Sequence, residues 1–445
     1  MDFFQATLAF VVLAPGAMFV SVALAWMLGW SPGERIISRI TGVTFSASVL
    51  GVAALILKLG WTHAPVKVAF GNWFTVVDYH FPLVLVADRL SLPFLALTVI
   101  LSGLIGQFSA TYLHRERGFL RFFLLLHLFA FGSLLAFAAG SFDLLVAGWE
   151  LVGITSVLLI AFFQQRGAPV ENGLRVFAVY RATDIGLLVS VFAMHHWAGT
   201  ASLAEGLPYL SGNQTAAICL LLLLAAAGKA AQVPFSGWLP RAMEGPTPSS
   251  AIFYGAISIH AGAYLLLRIQ PLLAQSATAS TAVIAIGVMT AIHGALAGRA
   301  SADAKTSLAY ASLSQVGVIF AEIGLGWKWF AVAHLLGHAT VRTLQFLRAP
   351  SMLHDYHQMH SAMGGELATD QRAEELLPEA LQLWLYRWAL DRGHLDTILD
   401  RFVIGPLIRL SEFLAKLDNL GMAQPVTRRQ TAPLSMRTPA DERGR

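Results

Sequence analysis

Leu220-Leu221-Leu222-Leu223-Leu224-Ala225-Ala226-Ala227-Gly228-Lys229-Ala230-Ala231-Gln232-Val233-Pro234 decides the fold class. The stretch opens as an unbroken apolar run, ends it on a lysine, and then meets a proline. The apolar part reads as a membrane span, since crossing the hydrocarbon core takes roughly 20 mainly apolar residues in a helix. Proline lacks a backbone donor and clashes with the preceding turn, so the helix breaks directly after Lys229. Freed backbone groups at membrane depth are tolerated only where they line protein or a watery cavity, and broken helices of this kind mark transport sites. A structural proline kink is the alternative reading.

The rest of the chain agrees. Of 445 residues, 56% are hydrophobic and only 13% charged, where soluble proteins carry about 25% charged residues. The composition predicts an all-α polytopic membrane protein of about eleven spans, near residues 4–29, 38–60, 91–112, 119–140, 143–164, 174–197, 215–243 (interrupted), 248–268, 281–298, 303–325 and 328–348. The first stretch, Phe3 to Trp30, is too long for a signal peptide and has no basic leader, so it is expected to be a retained span.

The net charge of +4 does not point to nucleic acid, because the basic residues lie in short loops between spans. The loops Glu34 to Arg39, His114 to Arg121 and Arg166 to Arg175, with Arg299 and Arg348, fall on one face. The positive-inside rule makes that face cytoplasmic, placing the N-terminus in the periplasm and the C-terminus in the cytoplasm of a bacterial inner membrane. Between the second and third spans, Val66 to Asp88 reads as a small β-hairpin or an ordered loop.

Beyond Arg348, charges such as Glu374, Glu379, Arg387, Arg392, Asp396 and Asp400 interrupt every apolar run. The expected organisation is therefore a transmembrane domain over 1–350, cytoplasmic amphipathic helices over 351–423 that meet the membrane or a partner, and a disordered tail over 424–445.

A charge at mid-membrane costs about 2.5–3.5 kcal/mol on insertion scales, so each one needs a reason. Glu150, Asp184 and Lys229 lie in the fifth, sixth and seventh spans, and Lys305 lies near the start of the tenth. His334, His338 and Arg342 recur every fourth residue and share one helix face. Lysine and histidine gain and lose protons, so this line suits proton or cation translocation; structural salt bridges that only orient helices are the alternative. His260 and His293 either join the path or bond a neighbouring carbonyl. Tyr264, Trp327 and Trp329 are expected in the interfacial aromatic belt. Cys219 is the single cysteine, so no disulfide or cysteine metal site is available. His354, His357 and His360 suit a partner-facing surface better than a metal, and no metal ligand, cofactor or catalytic residue is assigned to this chain.

Four segments carry a family resemblance: Trp149 to Gly153 (WELVG), Gly228 to Met243, Gly245 to Ala251 (GPTPSSA) and Lys305 to Gly317 (KTSLAYASLSQVG). They resemble the antiporter-like subunits of respiratory complex I and Mrp cation antiporters, over about residues 85–350. The resemblance implies that Glu150 and Lys229 form a coupled carboxylate–lysine pair beside the broken helix at Pro234, that Lys305 is a central relay, and that Asp184 supports it. Two positions depart: Tyr254 stands where the family often has histidine, and Arg342 where it has lysine. Arginine holds its proton, so it steers a path by its field without carrying the proton. A second broken helix is not seen before the chain turns polar, so the exit half-channel is expected to be incomplete or to be finished by a partner.

Gln345 to His357, with Leu385 to Phe402, is similar to the DabB subgroup of that family. That similarity implies an inorganic carbon uptake complex, with a DabA-like cytoplasmic zinc protein similar to β-carbonic anhydrase as partner and a flow of H+ or Na+ driving CO2 hydration there. An ion-translocating subunit of a complex I-like or Mrp-type assembly is the alternative. Neither reading places an enzymatic step in this chain, and a pure anchor would leave the buried charges unexplained.

Overall fold

Inside lipid every backbone group must be satisfied within its own segment, and this chain answers with helices. The computed structural model describes all residues except 77–78, 204–209, 302, 364–377 and 422–445; for 76, 79, 350–363, 396, 403, 407 and 419–421 it describes the backbone alone. Among the described residues ten helices are long and apolar enough to cross a membrane. They are α1 (Phe3–Met27), α2 (Glu34–Thr62), α3 (Ser91–Tyr112), α4 (Phe119–Phe137), α5 (Phe142–Ile160), α6 (Gly167–Ala198), α7 (Gly212–Lys229), α8 (Thr247–Arg268), α9 (Ala277–Arg299) and α10 (Ala304–Gly324).

Helix starts are fixed by side chains that satisfy the first free N–H groups. Asp2 and Gln5 form a capping box on α1, while Ser141, Ser276 and Asp303 accept from Leu144, Ala279 and Thr306 at the starts of α5, α9 and α10. Small residues let neighbours approach closely, as in membrane helix pairs generally. On α10, a methyl group added at Gly317 would sit 2.6 Å from the Gly287 carbonyl oxygen of α9. Only glycine permits that contact.

The eleventh helix, α11 (Lys328–Met363), runs past the sequence boundary at 348–350 without a break. It is not among the ten because His334, His338, Arg342 and Gln345 lower its apolar content. Ala331, Leu335, Ala339, Thr343 and Phe346 are buried, whereas Trp329, Phe330, Val341 and Leu344 are exposed. The helix is amphipathic, and its polar line is turned toward the bundle rather than toward lipid.

Val66 to Asp88 forms a hairpin of two antiparallel strands, β1 (Val66–Val76) and β2 (Tyr79–Ala87), with Val66 opposite Ala87 and register shifts at Ala69/Asn72 and Asn72/Thr75. It is stitched to the α4–α5 turn, where Val86 N–H donates to Ala138 (2.7 Å) and Gly140 N–H to Val84 (2.8 Å). This identifies a hairpin end of the bundle. At that end Asp88 caps α3, accepting from Leu90 and Ser91 N–H, and pairs with Arg268 Nη1 at 2.5 Å. Arg268 also donates to the Tyr264 hydroxyl, which in turn donates to Phe137 O, each at 2.6 Å. Tyr264 is thus a buried strut and not part of an aromatic belt, because its face of α8 points into the bundle; Trp327 and Trp329 remain exposed. Cys219 is in the core.

At the opposite end, α12 (Glu379–Leu390) lies against α9, with the Trp388 ring 5.4 Å from His293 and nearly perpendicular to it. Arg175 Nη1 holds Asp400 at 2.7 Å. The amphipathic α13 (Gly405–Gly421) belongs to a separate compact unit and exposes Ile408, Leu410, Phe413, Leu414 and Leu417. The tail over 424–445 lies outside the described residues.

Candidate ion-translocation site

The helix break places the first cluster. α7 ends at Lys229, and the chain then turns through Ala231, whose φ of 54° is left-handed, into two short turns and the one-turn helix Trp238–Arg241. The freed backbone groups are met by side chains from elsewhere. Trp238 Nε1 donates to the Gly228 carbonyl at 3.0 Å, and Val233 N–H donates to Thr290 Oγ1 on α9 at 3.0 Å. Protein lines the break, as membrane depth requires.

Lys229 is fully buried at this break, 0% exposed. Its ammonium donates to Trp149 O at 3.3 Å and lies over the rings of Tyr180 and Trp149, 4.2 and 4.8 Å from their centroids. Gly153 leaves it room, since a Cβ there would come within 3.0 Å of Nζ. Among the described residues no carboxylate reaches ion-pair distance of Nζ. The expected coupling of Glu150 with Lys229 therefore does not take the form of a direct ion pair. Glu150 is engaged instead by Arg181 of α6, whose Nη2 contacts Glu150 Oε2 and also Asp184 Oδ2 at 2.8 Å. Asp184, buried at 2%, further accepts from Trp149 Nε1 at 2.7 Å. One guanidinium bridges two acids, and Lys229 stands beside the bridge through Trp149.

The second cluster sits along α8, α10 and α11. In α8 the residues Ala251–Ala256 form a π-helical turn, a feature frequent at functional sites. Below it His260 Nδ1 bonds Ala256 O, and its Nε2 meets His338 Nδ1 at 3.0 Å. His260 thus bonds a neighbouring carbonyl, one of the two alternatives raised for it, and also contacts a histidine of α11. One turn away, His334 Nδ1 meets Glu322 Oε1 at 2.8 Å and its Nε2 meets Gln315 Oε1 at 3.1 Å. Arg342 is buried with its Nε unpaired. Between the clusters Ser156 of α5 and Ser258 of α8 stand 3.4 Å apart, and Tyr254 packs on Trp238.

Chains with this architecture are known. A family model described as "NADH:quinone oxidoreductase/Mrp antiporter, TM" matches residues 139–373, and one described as "NADH-Ubiquinone oxidoreductase (complex I), chain 5 N-terminus" matches residues 73–123. The chain belongs to the NADH:quinone oxidoreductase/Mrp antiporter family. NADH-ubiquinone oxidoreductase chain 5 of Cryptococcus neoformans is 34% identical over 328 residues, covering 72% of this chain and 49% of the relative. NADH-quinone oxidoreductase subunit L of Mycobacterium tuberculosis is 38% identical over 276 residues, covering 61% and 44%. The chain spans about half the length of these relatives. A chain of the Mrp complex from Dietzia sp. superimposes with a TM-score of 0.66 at 27% identity, over 78% of this chain and 37% of that one. A chain of the archaeal membrane-bound sulfane sulfur reductase gives 0.66 at 21% identity, over 77% and 70%, which shows the shared fold.

For this family member, then, the structure gathers Glu150, Asp184 and Lys229 in one cluster and His260, His334 and His338 in another. Lys305 stands in the first turn of α10, near the start of its span as expected, where Asp303 caps the helix and accepts from Thr306 N–H. His293 packs between Tyr310 and Trp388. The side chains of His354, His357 and His360 lie outside the described residues. Two charged residues were missed, Arg181 and Glu322. Both sit inside predicted spans, and the signal was the one applied to the others: an ionised group where lipid is expected.

Proposed function

We propose that this chain is the ion-translocating subunit of a complex I-like or Mrp-type assembly in a bacterial inner membrane, carrying H+ or Na+ between the two clusters. The observation that carries the proposal is Lys229, fully buried at a helix break, with no carboxylate of the described residues on its ammonium and an Arg181-bridged acid pair alongside. A purely structural lysine would be expected to hold a direct ion pair, because a buried charge is strongly disfavoured when unpaired. Lysine releases and regains its proton, whereas arginine does not, so the fixed charge of Arg181 and the mobile charge of Lys229 divide the work. When the proton on Lys229 leaves, the acids bridged by Arg181 lose a neighbouring positive charge and the network relaxes. That couples one cluster to the next without a direct Glu150–Lys229 contact. The polar line of α8, α10 and α11 then offers imidazoles as the following stations.

The test is cation flux in vesicles reconstituted with the protein and the partners that co-purify with it. A pH dye and a Na+ dye report which ion moves under an imposed membrane potential, and flux equal to that of empty vesicles for both ions would remove the proposal.

A narrower reading couples that flow to CO2 hydration by a DabA-like zinc protein. It rests on the sequence of 345–357 and 385–402, and on the docking of α12 at the end of the bundle opposite the hairpin, where a cytoplasmic partner would bind. The relatives support the broader reading better. Expression with the neighbouring gene in a carbonic-anhydrase-deficient bacterium separates the two: growth in ordinary air favours the carbon reading, and its failure leaves only the broader one.

A further inference from the structure

Glu322 is a buried carboxylate of α10 outside the Arg181-bridged cluster. It lies in the last turns of α10, at the hairpin end, with a side chain only 7% exposed. One oxygen, Oε1, meets His334 Nδ1 at 2.8 Å, and the other, Oε2, is buried without a hydrogen-bond partner among the described residues. A carboxylate kept only for structure would be expected to satisfy both oxygens, since a buried acceptor left unmade is costly. The far side of the His334 ring is served by Gln315, which offers a carbonyl oxygen or, after its amide turns over, an NH2 group. The ring is thereby matched in both of its protonation states. His338, one turn further along the same face, has an unengaged Nε2.

We infer that Glu322 and His334 form a proton-transfer dyad that ends the polar line at the hairpin end of the bundle. The inference rests on the ion-translocating reading above and narrows the ion handled here to H+. In the step itself the N–H bond at His334 Nδ1 breaks and an O–H bond forms at Glu322 Oε1. The doubly protonated ring becomes neutral, keeping its proton on Nε2 toward Gln315, and the carboxylate becomes a neutral carboxyl. The carboxyl then releases its proton to water, and one proton taken up by the neutral ring restores its doubly protonated form for the next transfer.

The experiment compares wild type, Glu322→Gln and Lys229→Ala, each purified with its natural partners and reconstituted, under an imposed membrane potential with pH and Na+ dyes. Glutamine keeps an oxygen for His334 but does not take up the proton. The expected result is thermal stability within a degree or two of wild type with proton flux reduced at least about tenfold. Wild-type flux in Glu322→Gln together with loss in Lys229→Ala overturns the dyad alone. Wild-type flux in Lys229→Ala overturns the translocation reading beneath it. Flux carried by Na+ with no dye-detected proton movement also overturns the dyad. Should Glu322→Gln fail to fold, carbodiimide labelling of the wild-type assembly replaces it. An adduct at Glu322 that accumulates in step with lost flux supports the dyad, and full labelling or no labelling of Glu322 with flux intact or lost independently of it refutes it.

Discussion

Replacing Arg181 with glutamine removes the one cation that joins α5 to α6 through two acids. In the native arrangement Arg181 Nη2 serves Glu150 Oε2 and Asp184 Oδ2 together. A hydrogen bond to a charged group contributes about 1.5–3 kcal/mol, so two suggest about 3–6 kcal/mol. The Arg181 and Glu150 side chains are 35% and 31% exposed, which pulls the figure to the lower end. The expected loss is therefore about 3 kcal/mol, or about a hundredfold in the unfolding equilibrium constant. Chemical denaturation in detergent, followed by tryptophan fluorescence, measures it directly; Trp149 donates to Asp184 and so reports from the site. Proton flux should fall as well, because the acids beside Lys229 would be left facing each other without their fixed positive charge. Arg181→Lys should recover only part of the stability, since a single ammonium does not reproduce the guanidinium fork. A loss below about 1 kcal/mol in Arg181→Gln, well under the hydrogen bonds it removes, would refute the bridge as the element that organises this cluster.

Other consequences follow from geometry elsewhere in the bundle. Burial works to raise the Asp88 carboxyl, but the Arg268 charge and the hydrogen bonds it receives outweigh burial and hold it below the ordinary carboxylate value. Its folded value is thus the lower one, so the stability it contributes is complete above about pH 3.9 and is lost as pH falls through the folded value; Arg268→Gln should flatten that acid limb in thermal melts against pH. Gly153→Leu should cut ion flux at least about tenfold, because even a Cβ there meets Lys229 Nζ at 3.0 Å, while Gly42→Ala, which has nothing within 4 Å, should leave flux unchanged in the same vesicles. Gly317→Leu should separate α9 from α10, as a methyl group alone would come within 2.6 Å of backbone atoms of Gly287 and Ala291; overpacking of this kind costs about 1–3 kcal/mol or more, visible as a lower melting temperature.

What sequence made readable here was whatever one-dimensional chemistry imposes. The spans are legible because lipid demands long apolar helices, and the break after Lys229 because Pro234 denies a donor. Glu150, Asp184 and the α11 line are legible because an ionised group in a span is conspicuous. The pairing of those groups is not legible, since it depends on which helices touch. Arg181 lies three residues before Asp184 on the same helix face, yet its partner on α5 is distant in sequence, and so the bridge is not readable from the chain alone. Glu322 was hidden among Val316, Ile319, Phe320 and Ile323, and only the fold shows that His334 stands against it. The π-helical turn at Ala251–Ala256 has no marker residue comparable to proline; it packs against α11, where Gly255 faces Phe346 and Thr343. Tyr264 carries the amphipathic look of a belt residue until Arg268 and Phe137 are seen to claim both sides of its hydroxyl.

Potential-driven flux through wild-type and Lys229→Ala assemblies, reconstituted at equal protein density and read by pH and Na+ dyes, tests the central claim most directly. The account expects the wild type to move cations well above empty vesicles and Lys229→Ala to fall to the level of empty vesicles while keeping its partners and its melting temperature. A folded, fully assembled Lys229→Ala protein that conducts at the wild-type rate would contradict it.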